Sequence, residues 1–316
     1  MKWKVQVSII VTGSNGFFGK PLAEFLTRSG YDVYGVQRQK SVSTFQQLIM
    51  SDFHDHQKWN AILKDKKTII HCAARVHQMS DKNNLETQKL YFDTNYAITK
   101  KIVDAALAQN VKHFIFISSV AAFSFDLSLP QTELLLSLRL RWSFYGESKY
   151  KAEEYLRSIG SKTGLKITIL RPPLIYGPHV KGNLETLVKL VQKKIPLPFK
   201  SIATRKSLIS IDNFLDLILN LINNPKAWDK TYFVKDYDLP LNAIVSEMYK
   251  SFNMPSQLFA FPEFLMNLMV KTPVLGNKIE RFMQELVFDD TPIRDALKWA
   301  PSFSYQDGIK KMVQSF

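Results

Sequence analysis

A single cysteine, Cys72, stands in 316 residues, which leaves no internal disulfide framework and no cysteine-built metal centre. A reducing compartment is compatible with that. No apolar run is long enough for a bilayer span. The richest, LFAFPEFLMNLMV from Leu258 to Val270, is broken by Pro262 and Glu263 and reads as an amphipathic segment on a core. Positive charge is in excess at +14 but nowhere concentrated, the densest cluster being the short KDKK from Lys64 to Lys67. Charge scattered in this way argues against a nucleic-acid stripe and favours small phosphate-bearing partners. Repeats and low-complexity tracts are missing too, which excludes a solenoid. The N-terminal MKWKVQVSIIVTG sets lysines before an apolar stretch, yet that stretch contains Gln6 and runs straight into glycines. It is expected to be a first buried strand and not a leader.

What is present is alternation. VQVSIIV (Val5 to Val11), DVYGVQ (Asp32 to Gln37), TIIHCA (Thr68 to Ala73), HFIFIS (His113 to Ser118) and KITILR (Lys166 to Arg171) are nearly continuous in apolar residues, as strands buried on both faces are. Helix-length segments lie between them: Lys20 to Ser29, Asn84 to Gln109 and Tyr145 to Ser161. This is the pattern of a parallel sheet covered by helices. Directly after the first strand comes TGSNGFFG, with Gly13, Gly16 and Gly19 opening a helix. Such a turn lets backbone amides and the positive end of a helix meet a pyrophosphate, so a nicotinamide dinucleotide, NAD or NADP, is expected there.

The fold expected is therefore α/β: a Rossmann-type doubly wound parallel sheet with a smaller, mostly helical C-terminal substrate lobe. The dinucleotide-binding domain is assigned to residues 1–172, with a return segment near 207–235 in which SLISI is a strand and FLDLILNLI a helix. The lobe takes residues 173–316. The second strand ends in GVQRQK without an acidic residue for the ribose hydroxyls, so Arg38 either meets a 2′-phosphate or is a solvated residue after a strand. Asp52, beside Phe53, either contacts the adenine amine or caps the next helix.

The glycine turn, HCAA from His71 to Ala74, Asn95, the serines of FIFISS, YGESK and RPPLIYGP together resemble the extended short-chain dehydrogenase/reductases, the NAD-dependent epimerase/dehydratase family. The resemblance covers nearly the whole chain. It implies that Tyr145 and Lys149 are the acid/base pair, with Ser119 positioning the substrate oxygen and Ser118 supporting the backbone. Spacing of four on a helix puts the lysine and the phenol on one face, where a cation favours phenolate. The resemblance also assigns Asn15, Phe17, Phe53, Ala73, Ala74, Asn95 and Pro172 to the cofactor beside the three glycines, together with Tyr145 and Lys149, the lysine holding the nicotinamide ribose.

Two departures from the family pattern matter. Where its 4,6-dehydratases carry an Asp-Glu pair after the catalytic Ser or Thr, this chain has Val120 and Ala121, which exchange no protons, so dehydration is unsupported. Where a polar stretch is usual before the tyrosine, it has LLLSLRLRWSF from Leu134 to Phe144, expected to form a lid over the substrate. The second half is similar to the subgroup of UDP-sugar 4-epimerases and UDP-N-acetylquinovosamine-forming 4-ketoreductases of surface-polysaccharide synthesis. Asn183, Arg205 and Arg281 match positions implied to hold the UDP-sugar, and Leu174 replaces a usual Asn. Reduction of a UDP-4-keto-6-deoxy-N-acetylhexosamine is the first expectation and 4-epimerisation of a UDP-sugar the alternative. A non-catalytic dinucleotide-binding protein is a distant third. The resemblance further implies a cytoplasmic homodimer paired through the long helices of the sheet domain.

Overall fold

The computed structural model describes residues 7–76, 81, 84–125, 143–260 and 285–316. They fall into two compact units. The first runs to Pro172 and takes in Leu215–Val234 and Asp290–Trp299. Its seven strands are β1 (Ser8–Thr12), β2 (Asp32–Gln37), β3 (Gln46–Ile49), β4 (Thr68–His71), β5 (His113–Ile117), β6 (Lys166–Arg171) and β9 (Lys230–Phe233). They form one sheet in the order β3-β2-β1-β4-β5-β6-β9, with every pairing parallel. Strand order reverses between β1 and β4, and ligands of such sheets bind beyond the carboxyl ends of the strands at that reversal. The interior strands are mostly apolar because helices cover both faces, and β4 and β5 are buried at every residue, their polar members Thr68, His71 and His113 included.

Helices α1 (Gly19–Arg28), α2 (His56–Leu63), α3 (Leu85–Phe92), α4 (Ile98–Ala108) and α5 (Phe144–Gly160) belong to this unit. In α1 the buried residues are Gly19, Leu22, Ala23 and Leu26, one stripe at helical spacing. The segment expected as one helix over 84–109 is two, α3 and α4, joined by a π turn at Asp93–Ala97. The stripe of α5 departs from rule: Gly146, Ser148, Lys149, Ala152, Glu153 and Leu156 are buried, so two charges face inward. Buried charges are rare unless they are paired, which marks α5 as more than a packing element.

The second unit comprises Pro173–Phe214, Lys235–Asp289 and Ala300–Phe316. Its sheet has three strands, β7 (Leu174–Tyr176), β8 (Arg205–Ser210) and β10 (Tyr237–Pro240), with β8 parallel to β7 and antiparallel to β10. Helices α6 (Asn183–Gln192), α8 (Leu241–Ser251) and α10 (Tyr305–Val313) accompany them. The SLISI strand thus joins this small sheet, not the parallel one; the chain returns to the first unit only at Leu215, within α7 (Ile211–Leu221). A further helix of the first unit, α9 (Thr291–Leu297), comes from a region expected to be wholly in the lobe.

Candidate functional site

The glycine turn sits at the carboxyl end of β1. Gly13 has φ +68°, and a Cβ there would lie 2.8 Å from the Ala73 backbone at the end of β4. A Cβ on Gly19 would lie 2.2 Å from Gly13 O, so this glycine lets α1 start directly under the turn. Gly16 differs. Its Cβ would meet only Gly13 O, at 3.1 Å, and both Asn15 and Gly16 are exposed. That one contact is tight but slight beside the clashes at Gly13 and Gly19, and exposed backbone at a helix N-terminus is the cradle a pyrophosphate needs, so the residues present fit a dinucleotide.

The end of β4 is tied to that turn. The Thr12 hydroxyl lies 2.6 Å from His71 Nδ1, the Ala73 amide donates to Thr12 Oγ1 (3.2 Å), and Thr99 Oγ1 lies 3.0 Å from His71 Nε2. Burial, with the Lys149 charge second, pushes the His71 imidazole down to about 3, so it is a neutral brace. Asn95 projects from the π turn, where the backbone is rotated out of α-helical phase. Its amide donates to Arg75 O (3.0 Å) and Ser148 Oγ (3.0 Å), and its carbonyl accepts from the Arg75 amide (2.8 Å). It therefore pins the chain after Ala73 and Ala74 to α5.

Ser119, Tyr145 and Lys149 come together at the ends of β5 and α5. Ser143 caps α5, its hydroxyl accepting from the Gly146 amide (3.0 Å). Gly146 then packs so closely on the 3-10 turn Val120–Phe125 that a Cβ would lie 2.5 Å from Ala121 O. Burial raises the Tyr145 phenol above its ordinary value, and the neighbouring Ser119 side chain opposes the rise. The ring meets Tyr91 edge-on, centroids 6.3 Å apart. Lys149 is 1% exposed; its ammonium donates to Ile117 O (2.8 Å) and lies 4.4 Å from the centre of the Phe116 ring. Burial lowers this amine to about 8. The arrangement can pass a proton to or from an oxygen placed beside Ser119 and Tyr145.

Sequence reasoning missed what lies one turn further along α5. Glu153, fully buried, accepts from Arg171 Nε (3.0 and 3.2 Å) and Arg171 Nη2 (2.6 Å), from Arg157 Nη1 (3.1 Å), and from the Ser118 hydroxyl. Ser118, expected to support the backbone, spends its side chain on this carboxylate. The signal available was a Glu four residues after the lysine, KxxxE, which helical spacing turns inward with it.

The remaining candidates are dispersed. Pro172, buried after β6, accepts from the Val120 amide (3.1 Å) and so braces the turn behind Ser119. Phe17 is half-buried in the glycine turn. Gln37, not Arg38, is the organised residue at the end of β2: its carbonyl accepts from Ser14 Oγ (2.9 Å) and its amide donates to Gln47 (2.6 Å) and Ser41 (3.1 Å), while Arg38 is exposed. Asp52 accepts from the His54 amide (2.8 Å), and α2 is capped by Asp55 instead (2.9 Å to the Lys58 amide). Phe53 packs edge-on against Trp59, ring centroids 5.7 Å apart. In the second unit Asn183 is exposed at the start of α6, and Arg205, exposed on β8, donates to Asp238 O (3.2 Å). Arg281 and residues 134–142 of the leucine-rich stretch lie outside the described residues. Among the described residues no helix is long and apolar enough to cross a membrane.

Comparison with known proteins adds to this geometry. The profile described as "NAD dependent epimerase/dehydratase family" matches residues 9–234. UDP-glucose 4-epimerase of Vibrio cholerae is 33% identical over 318 residues, 99% of this chain and 96% of that one. N-acetyl-alpha-D-glucosaminyl-diphospho-ditrans,octacis-undecaprenol 4-epimerase of Escherichia coli O157:H7 is 24% identical over 322 residues, 97% and 94% of the two chains. Among solved structures, UDP-N-acetylglucosamine 4-epimerase from Bacillus cereus superimposes with TM-score 0.75 at 18% identity, over 98% of this chain and 96% of that one. At that identity the likeness speaks for the fold.

Proposed function

This chain belongs to the NAD-dependent epimerase/dehydratase family of nucleotide-sugar enzymes, and from that premise we propose that it is a UDP-sugar 4-epimerase. The observation that carries the reading is the placement of Ser119 beside Tyr145, with the buried Lys149 ammonium one turn along the same helix. Val120 and Ala121 offer no proton-exchanging group beside it, which leaves C4 chemistry and removes dehydration.

A nicotinamide dinucleotide held at the glycine turn would supply reversible hydride transfer at C4. The protein's own residues manage the proton. Tyr145 takes it from O4 as the hydride leaves and gives it back at the end, while the Ser119 hydroxyl holds the same oxygen through both steps. Tyr145 needs help to do so, because burial raises its phenol in the protein alone. Lys149 supplies part of that help: its positive charge lies on the same helix face and favours the phenolate. The glycine turn holds the dinucleotide phosphates, and Asn183 and Arg205 are assigned to the diphosphate of the sugar nucleotide.

A second reading, reduction of a UDP-4-keto-6-deoxy-N-acetylhexosamine, is favoured by one observation. The end of β2 offers no carboxylate to the ribose hydroxyls, Gln37 is committed internally, and exposed Arg38 suits a 2′-phosphate. Such a cofactor is typically consumed and exchanged. The test is to incubate the protein with UDP-glucose, UDP-N-acetylglucosamine and the 4-keto-6-deoxy sugar, following products by NMR and nicotinamide by absorbance. Equilibration of C4 epimers without net loss of reduced cofactor is the expected result. Stoichiometric NADPH oxidation by the ketone alone would establish the reductase instead, and no turnover of any of the three would refute both. Tyr145→Phe is expected to lower kcat by about 10³-fold with cofactor affinity retained.

A further inference from the structure

Three charged side chains are buried beside one another under the reacting groups: Lys149, Glu153 and Arg171. The arginine and the glutamate pair in a two-pronged contact, while the lysine's own direct hydrogen-bond partner is the neutral carbonyl of Ile117. We propose that Glu153 is a positioning residue for the reaction: its carboxylate clamps the Ser118 hydroxyl, fixing the strand end that carries Ser119 against the helix that carries Tyr145, and supplies the buried negative charge felt by the Lys149 ammonium. The proposal rests on the assignment of Tyr145 and Lys149 as the acid/base pair.

The geometry makes Glu153 the one point where three elements meet. Ser118 comes from the end of β5, Arg171 from the end of β6 and Arg157 from the next turn of α5. Each of those strand ends is one residue from a site candidate, Ser119 and Pro172, and the Val120 amide is bonded to Pro172 O (3.1 Å). A carboxylate at the hub therefore sets the spacing of Ser119 from Tyr145.

The groups facing Lys149 are few. Tyr145 and Glu153 flank it on α5, His71 and Cys72 face it from the end of β4, and the Phe116 ring and Ile117 carbonyl from β5; Arg171 of β6 and Arg157 reach it only through Glu153. His71 is neutral. Burial pushes the Cys72 thiol up to about 12, so it carries no charge at neutral pH. That leaves Glu153 as the anion among these groups. Arg171 and Arg157 both donate to its carboxylate.

The experiment compares pH–kcat profiles of wild type, Glu153→Gln, Glu153→Asp and Ser118→Ala, with near-ultraviolet circular dichroism and NAD affinity measured on each. Glu153→Gln keeps the shape and removes the charge. Its high-pH limb is expected to move down by about one pH unit, since a nearby opposite charge shifts an amine by at least that much. Glu153→Asp should keep the limb in place while lowering kcat, because the charge survives and the reach shortens. Ser118→Ala should lower kcat without moving the limb. A merely structural glutamate would lower stability and leave the limb where it was. A folded Glu153→Gln with wild-type kcat and profile overturns the proposal; should that variant not fold, wild-type kcat in both Glu153→Asp and Ser118→Ala does so. Tyr145→Phe, run alongside, isolates the premise: if it is fully active the acid/base assignment itself is wrong, whatever Glu153 does.

Discussion

Adding one methyl group at Gly146 should separate the tyrosine from the serine it works with. A Cβ at this position would lie 2.5 Å from Ala121 O and 3.0 Å from the Phe125 ring. Ordinary contact begins at about 3.5 Å, so helix and turn must part by about 1 Å. The turn has little freedom to give way. Ala121 O accepts from the Ser124 hydroxyl (2.8 Å), and the Ala121 amide donates to Ser119 Oγ (3.2 Å), so any displacement of Ala121 is passed to Ser119. Overpacking of this kind costs about 1–3 kcal/mol, offset by about 0.5–1 kcal/mol because Ala is the better helix former. A small loss of Tm is therefore expected. The catalytic effect should be much larger: displacing a reacting group by 1 Å costs about 10²-fold in rate. The glycine turn that takes the dinucleotide phosphates lies on other elements, so NAD affinity, read by protein-fluorescence quenching, should fall far less than kcat for C4 epimerisation, which is expected to drop about 10²-fold. Wild-type kcat in a folded Gly146→Ala would show that the close approach of α5 to the turn does not set the Ser119–Tyr145 geometry.

Two further outcomes follow from burial. His71 and His113 are held neutral, at about 3 and about 4, by desolvation; the Lys149 charge reinforces this at His71, whereas Asp229 opposes it at His113. Their folded values lie below the unfolded value near 6.5, so the stability they contribute is complete above that pH and is lost as pH falls through the window down to about 4. By pH 5 the loss is about 2 kcal/mol for each, read as a fall in the urea midpoint between pH 7 and pH 5, and an unchanged midpoint would contradict it. Cys72 is half-buried with its thiol at about 12, so iodoacetamide at pH 7.5 should modify it at least about 10²-fold more slowly in the native protein than in urea; equal rates would show an activated thiolate.

How much of this was legible before folding differs from element to element. β2 and β6 have the residue limits expected of them, and β1, β4 and β5 fall within the expected runs, because strands buried on both faces are dominated by apolar residues. The edge strands β3 and β9 escaped, since QQLI and KTYF are half polar where one side of the strand meets no neighbour. SLISI was recognised as a strand yet placed in the wrong sheet: an apolar run records burial but not the partner that buries it. The π turn at Asn95 was invisible for a related reason. Its residues, DTNYA, include no glycine or proline to mark a break, and the shift in phase accompanies the bonds Asn95 makes to Arg75 and Ser148.

Local sequence by itself determined the glycine turn, the strand that feeds it, and the pairing of Tyr145 with Lys149 on one helix face, because each depends on spacing within a dozen residues. It also removed dehydration, through Val120 and Ala121. Only the tertiary structure decided that Ser119 stands beside Tyr145, that Gly146 packs against the turn following Ser119, and that Lys149 is buried beside a carboxylate shared by Ser118, Arg157 and Arg171. Those facts join residues from β5, α5 and β6, and the energy of a buried charge depends on which groups surround it once the chain has closed around it.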